Sequence, residues 1–382
     1  MKEVLMGDHA VARGVQLARA EVIAAYPITP QTLIVEELSE ICARGDLKAK
    51  FIKVESEHSA MACCMGASMA GARTFTATSS HGLLLMHEIL HWSAGARLPI
   101  VMANVNRAIA PPWNLWCEQT DSLAQRDTSW LHIYCENNQE VLDTAIQAFK
   151  IAERINLPVM YVLDAFILSH TAEIVDLPDQ KDVDEFLPPF TPKLRLDTND
   201  PHAFGSITGP AEYQKLKQFR HDDMMNSIDI IKEIDAEYEK KFGRGYGVVT
   251  PYRCDDAELI LVTSGTVSGT ARVAIDALRD AGVAVGALKV RLFRPFPTED
   301  IAAAIGACPK VAVIDRNLSV GAGGIFAQEI KAALYNRDLR PTVIGIVGGL
   351  GGGDFTPAAI EKIARRALER ADSGDPVVWE EL

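Results

Sequence analysis

The stretch VIAAYPITPQTLIVEELSEICA, residues 22–43, decides the fold. It opens on a short apolar run, Val22–Tyr26, and breaks at two prolines that bracket Ile28 and Thr29. It resumes from Gln31 with apolar residues at helical spacing. An apolar run without polar alternation reads as a strand buried on both faces, and the sequel reads as the helix that covers it. The unit recurs downstream. Strands are expected at Phe51–Val54, Thr74–Thr78, Ile100–Asn104 and Val159–Leu163, and helices at Gln31–Ala43, Glu57–Ala70, Gly82–Ala94 and Glu140–Arg154. Such alternation predicts an α/β, doubly wound parallel-sheet domain, in which ligands lie beyond the carboxyl ends of the strands. Pro27–Pro30, Glu55–Glu57, Ser79–Gly82 and Arg107–Asp121 are therefore expected to form one rim.

Outward from this block, Asp176–Pro210 is rich in Pro, Asp and Thr and reads as a long surface connection. Asp222–Phe242 reads as one amphipathic helix, with Met225, Ile228, Ile231 and Ile234 near helical spacing. A second alternating block starts at Glu258. Its expected strands are Leu259–Thr263, Ala284–Val290, Val311–Asp315 and Thr342–Val347, and its expected helices Val267–Ala281, Thr298–Gly306, Gly324–Tyr335 and Thr356–Ala371. The expected division is 1–175, 176–256 and 257–382.

Composition narrows the function classes. A chain of 382 residues has room for two or three domains. Its 48% hydrophobic and 23% charged residues are those of a globular protein. A net charge of −13 without a Lys/Arg stripe argues against a nucleic-acid partner. The N-terminus shows no basic region followed by an apolar stretch, and no apolar run is long enough to span a bilayer, so the cytoplasm is expected and a membrane is not. The seven cysteines form no C-x-x-C pair, and neither zinc nor iron–sulfur spacing occurs among them.

Three groups of residues could carry chemistry. His87-Glu88-Ile89-Leu90-His91 matches the H-E-x-x-H zinc pattern, but its helix carries Leu83, Leu84, Leu85, Met86, Ile89, Leu90 and Trp92, as a packed α/β helix would, and no third ligand stands out. Ser264-Gly265-Thr266, Gly321–Gly324 and Gly348–Gly353 lie near strand ends and could hold a phosphate on helix amides; tight strand-to-helix turns are the alternative. The last group joins Tyr26–Pro30, Glu57 and Arg107. Singly these are a capping Thr, a helix-N-terminal Glu and a surface Arg. On one rim they are more informative.

Together, Tyr26–Pro30, Glu55–Ala60, Thr76–Gly82, Asn106–Ala110 and Asp121–Thr128 resemble the alpha subunit of pyruvate:ferredoxin oxidoreductases, and the similarity continues through Asp164–His170, Arg291–Pro297 and Gly348–Asp354. The resemblance implies a thiamine-diphosphate (pyrimidine-type) domain followed by a domain like the C-terminal domain of transketolases. It implies Glu57 as the carboxyl that hydrogen-bonds a pyrimidine ring nitrogen and so activates the cofactor. Thr29 and Arg107 would hold the substrate carboxylate, with Pro27, Ile28, Ser80 and His81 beside them at the cofactor. The implied reaction is oxidative decarboxylation of a 2-oxoacid to an acyl-CoA and CO2.

A complete thiamine site also needs a Gly-Asp-Gly loop and a following Asn for magnesium and diphosphate, and Gly353-Asp354-Phe355 lacks the second Gly. The resemblance thus implies a beta subunit that carries the diphosphate domain and Mg2+, and gamma and ferredoxin-like delta subunits or their equivalents. Those partners would bear [4Fe-4S] clusters that pass electrons to ferredoxin, or to NAD through a flavin subunit. The sequence departs from many pyruvate enzymes at Cys117-Glu118-Gln119-Thr120-Asp121, and His81 replaces a frequent Gln. Trp113 and Trp116 could line an apolar pocket for an aromatic 2-oxoacid such as phenylglyoxylate, with ordinary packing as the alternative. A non-redox thiamine enzyme and a non-catalytic scaffold subunit are the competing functions.

Overall fold

The computed structural model describes residues 1–338, 340–370 and 377–382. Among them, the larger of two main sheets has seven strands, in the order Leu292–Arg294, Leu131–Tyr134, Val159–Asp164, Val101–Asn106, Thr74–Thr78, Val22–Ala25 and Lys50–Lys53. Every neighbouring pair is parallel except the first. The central strands Thr74–Thr78, Val101–Asn106 and Val159–Asp164 are buried along their whole length, as expected where helices cover both faces of a sheet.

The second sheet runs Val378–Glu380, Thr342–Gly348, Lys310–Asp315, Leu259–Thr263, Val285–Val290 and Val249–Tyr252, parallel except for the last pair. A short antiparallel pair, Lys2–Met6 with Ala172–Asp176, lies apart from both. The architecture is α/β in both halves, as the alternating pattern implies.

The two sheets are joined through a chain excursion. Directly after Val285–Val290 in the second sheet, Leu292–Arg294 crosses to pair antiparallel with Leu131–Tyr134 at the edge of the first. A buried ion network follows the same path: Glu140 accepts from Lys289 Nζ at 2.6 Å and from Arg291 Nε at 2.9 Å. Charges so deeply buried are tolerated only when paired and hydrogen-bonded, and Arg291 also donates to Thr144 Oγ1 at 2.9 Å.

Several elements differ from the sequence expectation. The expected helix Gly82–Ala94 is two helices, Ser80–Leu85 and His87–Gly95, with a turn at Met86 between them. The long connection contains the helix Gln180–Phe186, which inserts Val183 and Phe186 into the core. The helix expected from Asp222 begins at Pro210, a residue whose fixed φ suits a first helical position, and its N-terminal half is so exposed that no apolar period marks it. The last expected helix is Pro357–Glu369, with Thr356 as its cap, and the expected end at Ala371 lies outside the described residues. Among the described residues no helix is long and apolar enough to cross a membrane.

Candidate active site

The strand register builds the rim. Ala25 pairs with Lys53 and Thr78 with Asn104, so neighbouring strands end at one edge and deliver Tyr26–Pro30, Glu55–Glu57, Ser79–Gly82 and Arg107 together. Gln31, fully buried, fastens the first of these loops: its Nε2 donates to the carbonyls of Tyr26 at 3.1 Å and Ala77 at 2.7 Å. Pro27 is exposed and Ile28 half-buried on that loop, flanking Thr29.

Glu57 is the first residue of the helix Glu57–Met69, whose cap Ser56 accepts from the Ser59 amide at 3.2 Å. A carboxylate in a first turn is favoured by the helix dipole. Although Glu57 is only 7% exposed, its carboxylate has no hydrogen-bond partner among the described residues. Gly82 packs so closely beneath it that a Cβ there would stand 2.6 Å from both Glu57 Oε1 and Thr78 Oγ1. Among the described residues the fully buried hydroxyls of Thr76, Thr78 and Ser79 have no hydrogen-bond partner. Buried polar atoms are normally satisfied, so a cluster of unsatisfied ones beside a rim marks a place where another polar group binds.

Arg107, 4% exposed, joins the loops. Its Nη1 donates to the Thr29 carbonyl at 2.5 Å, its Nη2 lies 3.3 Å from His81 Nδ1, and its Nε is buried without a partner. Burial lowers the Arg107 pKa, against which the charges of Asp121 and Glu57 raise it, so both carboxylates lie within electrostatic reach. Ser80 donates to the Ala108 carbonyl at 2.7 Å, and the His81 ring meets Ser80 Oγ at 3.3 Å through Nδ1 and accepts the Ala110 N–H at 3.1 Å on Nε2. The structure thus brings Thr29, Ser80, His81 and Arg107 into one network, with Glu57 packed on Gly82 next to it.

Sequence reading gave no role to Gln31, which fastens the rim, or to Asp121, which it placed on the expected rim without a function. Asp121 accepts hydrogen bonds from both the Ser80 and the Arg107 backbone. A signal for each was present: Gln31 directly follows Tyr26–Pro30, and Asp121 ends the divergent segment Cys117–Asp121.

The other candidate motifs are engaged within the protein. Gly324 packs on the Asp315 carboxylate, and Thr266 donates through its N–H and hydroxyl to Asp164, at 3.0 and 2.5 Å. In the Gly348–Gly353 turn, the Gly351 carbonyl accepts from Asn114 at 3.1 Å. His87 is hydrogen-bonded to Gln125 at 2.6 Å, and Glu88 to Trp92 at 2.5 Å. Among the described residues no three His, Cys, Asp or Glu side chains are grouped to hold a metal. Trp113 is 76% exposed, its ring parallel to His81 to within 15° at 6.3 Å between centroids, and Trp116 leans on Phe166 at 4.6 Å. Trp113 is therefore not packed into the core.

Comparison with known proteins identifies the family. Residues 13–236 match the family described as pyruvate flavodoxin/ferredoxin oxidoreductase, thiamine diphosphate-binding, and residues 257–360 match pyruvate:ferredoxin oxidoreductase core domain II. The ketoisovalerate oxidoreductase subunit VorA of Pyrococcus abyssi is 48% identical over 98% of this chain and 95% of its own length. The pyruvate synthase subunit PorA of Methanothermobacter thermautotrophicus is 50% identical over 95% of this chain and 94% of its own. Among solved structures, the 2-oxoglutarate:ferredoxin oxidoreductase of Magnetococcus marinus superposes with a TM-score of 0.74 at 21% identity, covering 96% of this chain, which spans 65% of that one. A split-gene transketolase superposes at 0.56 and 13% identity over 96% of this chain and 99% of its own. These two show a shared fold. On sequence and fold together, the chain belongs to the pyruvate flavodoxin/ferredoxin oxidoreductase family, as an alpha-type chain like the PorA and VorA subunits.

Proposed function

We propose that this chain is the pyrimidine-binding subunit of a heteromeric 2-oxoacid:acceptor oxidoreductase that forms an acyl-CoA and CO2 from a 2-oxoacid and CoA. The observation that carries the reading is Glu57, a nearly buried carboxylate with no hydrogen-bond partner among the described residues, set beside the Arg107–Thr29–His81 network. The residues fit thiamine diphosphate: Glu57 offers an acceptor or donor to a pyrimidine ring nitrogen, Gly82 leaves the room, and the unsatisfied hydroxyls of Thr76, Thr78 and Ser79 offer further polar contacts. When bound, the cofactor supplies the electron sink for decarboxylation. Glu57 holds a proton at the ring nitrogen. Arg107 and Thr29 receive the substrate carboxylate by charge-assisted hydrogen bonds, and Pro27, Ile28, Ser80 and His81 shape the walls.

The division of labour follows from the missing Gly-Asp-Gly loop. A beta subunit supplies the diphosphate domain and Mg2+, and gamma and delta subunits or their equivalents carry the [4Fe-4S] clusters to ferredoxin. The domain boundaries proposed for this chain are 1–175, 176–256 and 257–382. Pyruvate and branched 2-oxoacids are the favoured substrates, since the relatives bear those names. The exposed Trp113 over His81 favours an aromatic 2-oxoacid as the second reading. Assay of the purified complex with CoA and a viologen dye against pyruvate, 2-oxoisovalerate and phenylglyoxylate separates these, and Arg107→Ala in that complex is expected to lower kcat/KM roughly 10- to 150-fold through a lost charged hydrogen bond. An unchanged kcat/KM removes Arg107 from the carboxylate site.

A further inference from the structure

Asp121 is completely buried between the two loops that carry His81 and Arg107. Its Oδ2 accepts three hydrogen bonds, from the Ser80 N–H at 2.8 Å, the Arg107 N–H at 3.2 Å and Asn104 Nδ2 at 3.2 Å. Its Oδ1 accepts the Ser122 N–H at 2.7 Å. Two of these donors are main-chain groups at the ends of adjacent strands, Thr74–Thr78 and Val101–Asn106. Regular pairing ends there at Thr78 and Asn104, so the ladder no longer fixes the spacing of the loops. Ser80 has φ of 48°, a left-handed conformation that residues with side chains seldom adopt and that surrounding contacts must impose.

Arg107 is consequently held at two ends. Asp121 binds its backbone and the Thr29 carbonyl its guanidinium, so the direction of the remaining donors depends on both anchors. Substrate carboxylate recognition is sensitive to displacements well under the length of a hydrogen bond.

We propose that Asp121 is a positioning residue of the site, whose buried carboxylate ties the Ser80 backbone to that of Arg107 and thereby aims the Arg107 guanidinium at the carboxylate of a 2-oxoacid. The proposal rests on the substrate-binding role given to Arg107 above. Asp121→Asn tests it with little change of shape. The amide oxygen can take the Oδ2 place, but the NH2 then faces the Ser122 N–H, donor against donor.

In the assembled complex Asp121→Asn is expected to raise KM for the preferred 2-oxoacid about tenfold, with kcat within about threefold of wild type, the signature of weakened ground-state and transition-state binding alike. Thiamine diphosphate content should stay that of wild type. A purely structural role would lower the fraction of active complex and leave KM unmoved. A KM within about twofold of wild type, or failure of this isosteric variant to fold and assemble, overturns the proposal. Arg107→Ala measured alongside separates the two ideas: if it raises KM while Asp121→Asn does not, the positioning role alone fails, and if neither does, the carboxylate site itself is elsewhere.

Discussion

At the level of single residues, the account stands on Glu57. Glu57→Gln preserves shape but cannot exchange a proton at the pyrimidine nitrogen, and general acid–base assistance is worth about 10²–10⁴ in rate. Turnover of the complex should fall by that order while the chain folds normally; a variant that keeps half the activity would dismiss Glu57 as the activating carboxyl. The rim positions of Glu57, Thr29 and Arg107 were legible in the sequence because each follows a strand end, where ligands of such sheets bind, whereas the roles proposed for them rest on the family resemblance. Asp121 stood within the expected rim but had no role in it, because it sits in the four-residue helix Thr120–Leu123, too short for any periodicity to mark. It also carries a pH dependence. Burial pushes its pKa up to about 7, against the N–H donors of Ser80, Arg107, Asn104 and Ser122. The folded chain then holds a proton that the unfolded chain has released, so this group's stabilising share is present at low pH and is lost as pH rises through about 4 to 7. Asp121→Asn, neutral throughout, should therefore compare better with wild type at pH 8 than at pH 5 in denaturant titrations. A constant gap, or one that widens at pH 8, contradicts the raised pKa.

Among the elements, buried central strands and their helices were read to within a few residues, since a continuous apolar run has few other uses. Three short strands were not. Leu131–Tyr134, Val249–Tyr252 and Leu292–Arg294 are three or four residues long, too short for a pattern, and their pairing depends on partners distant in sequence. The helix Ser80–Leu85 shows how closely element packing bears on the site. Gly82→Ala would place a methyl against Glu57 Oε1 and the Thr78 hydroxyl, so the carboxylate must move. We expect at least a tenfold drop in kcat of the complex, on the order of the loss of a well-placed acid–base group, with the melting temperature of the chain changed by only a few degrees. Wild-type kcat in this variant would mean that Glu57 is not held at that spot.

For the molecule as a whole, the first sheet is completed by a strand from the second half of the sequence, and Glu140 is the electrostatic joint between them. Glu140→Ala leaves Arg291 and Lys289 buried with fewer acceptors, and removing one partner of a buried pair costs about 3–5 kcal/mol; urea denaturation should show that loss, and a change under about 1 kcal/mol would mean that the joint is solvated. At the same scale the proposed site is half of one. On that proposal the chain would offer the pyrimidine-side groups, and its sequence has neither a Gly-Asp-Gly loop nor cluster-type cysteine spacing. The most direct measurement is therefore CoA-dependent dye reduction by a 2-oxoacid, run on the purified chain alone and on the chain assembled with its partner subunits. The assembled complex is predicted to reduce the dye and the isolated chain to be inactive; activity from the chain alone, or none from the complete complex with any 2-oxoacid, would contradict the account.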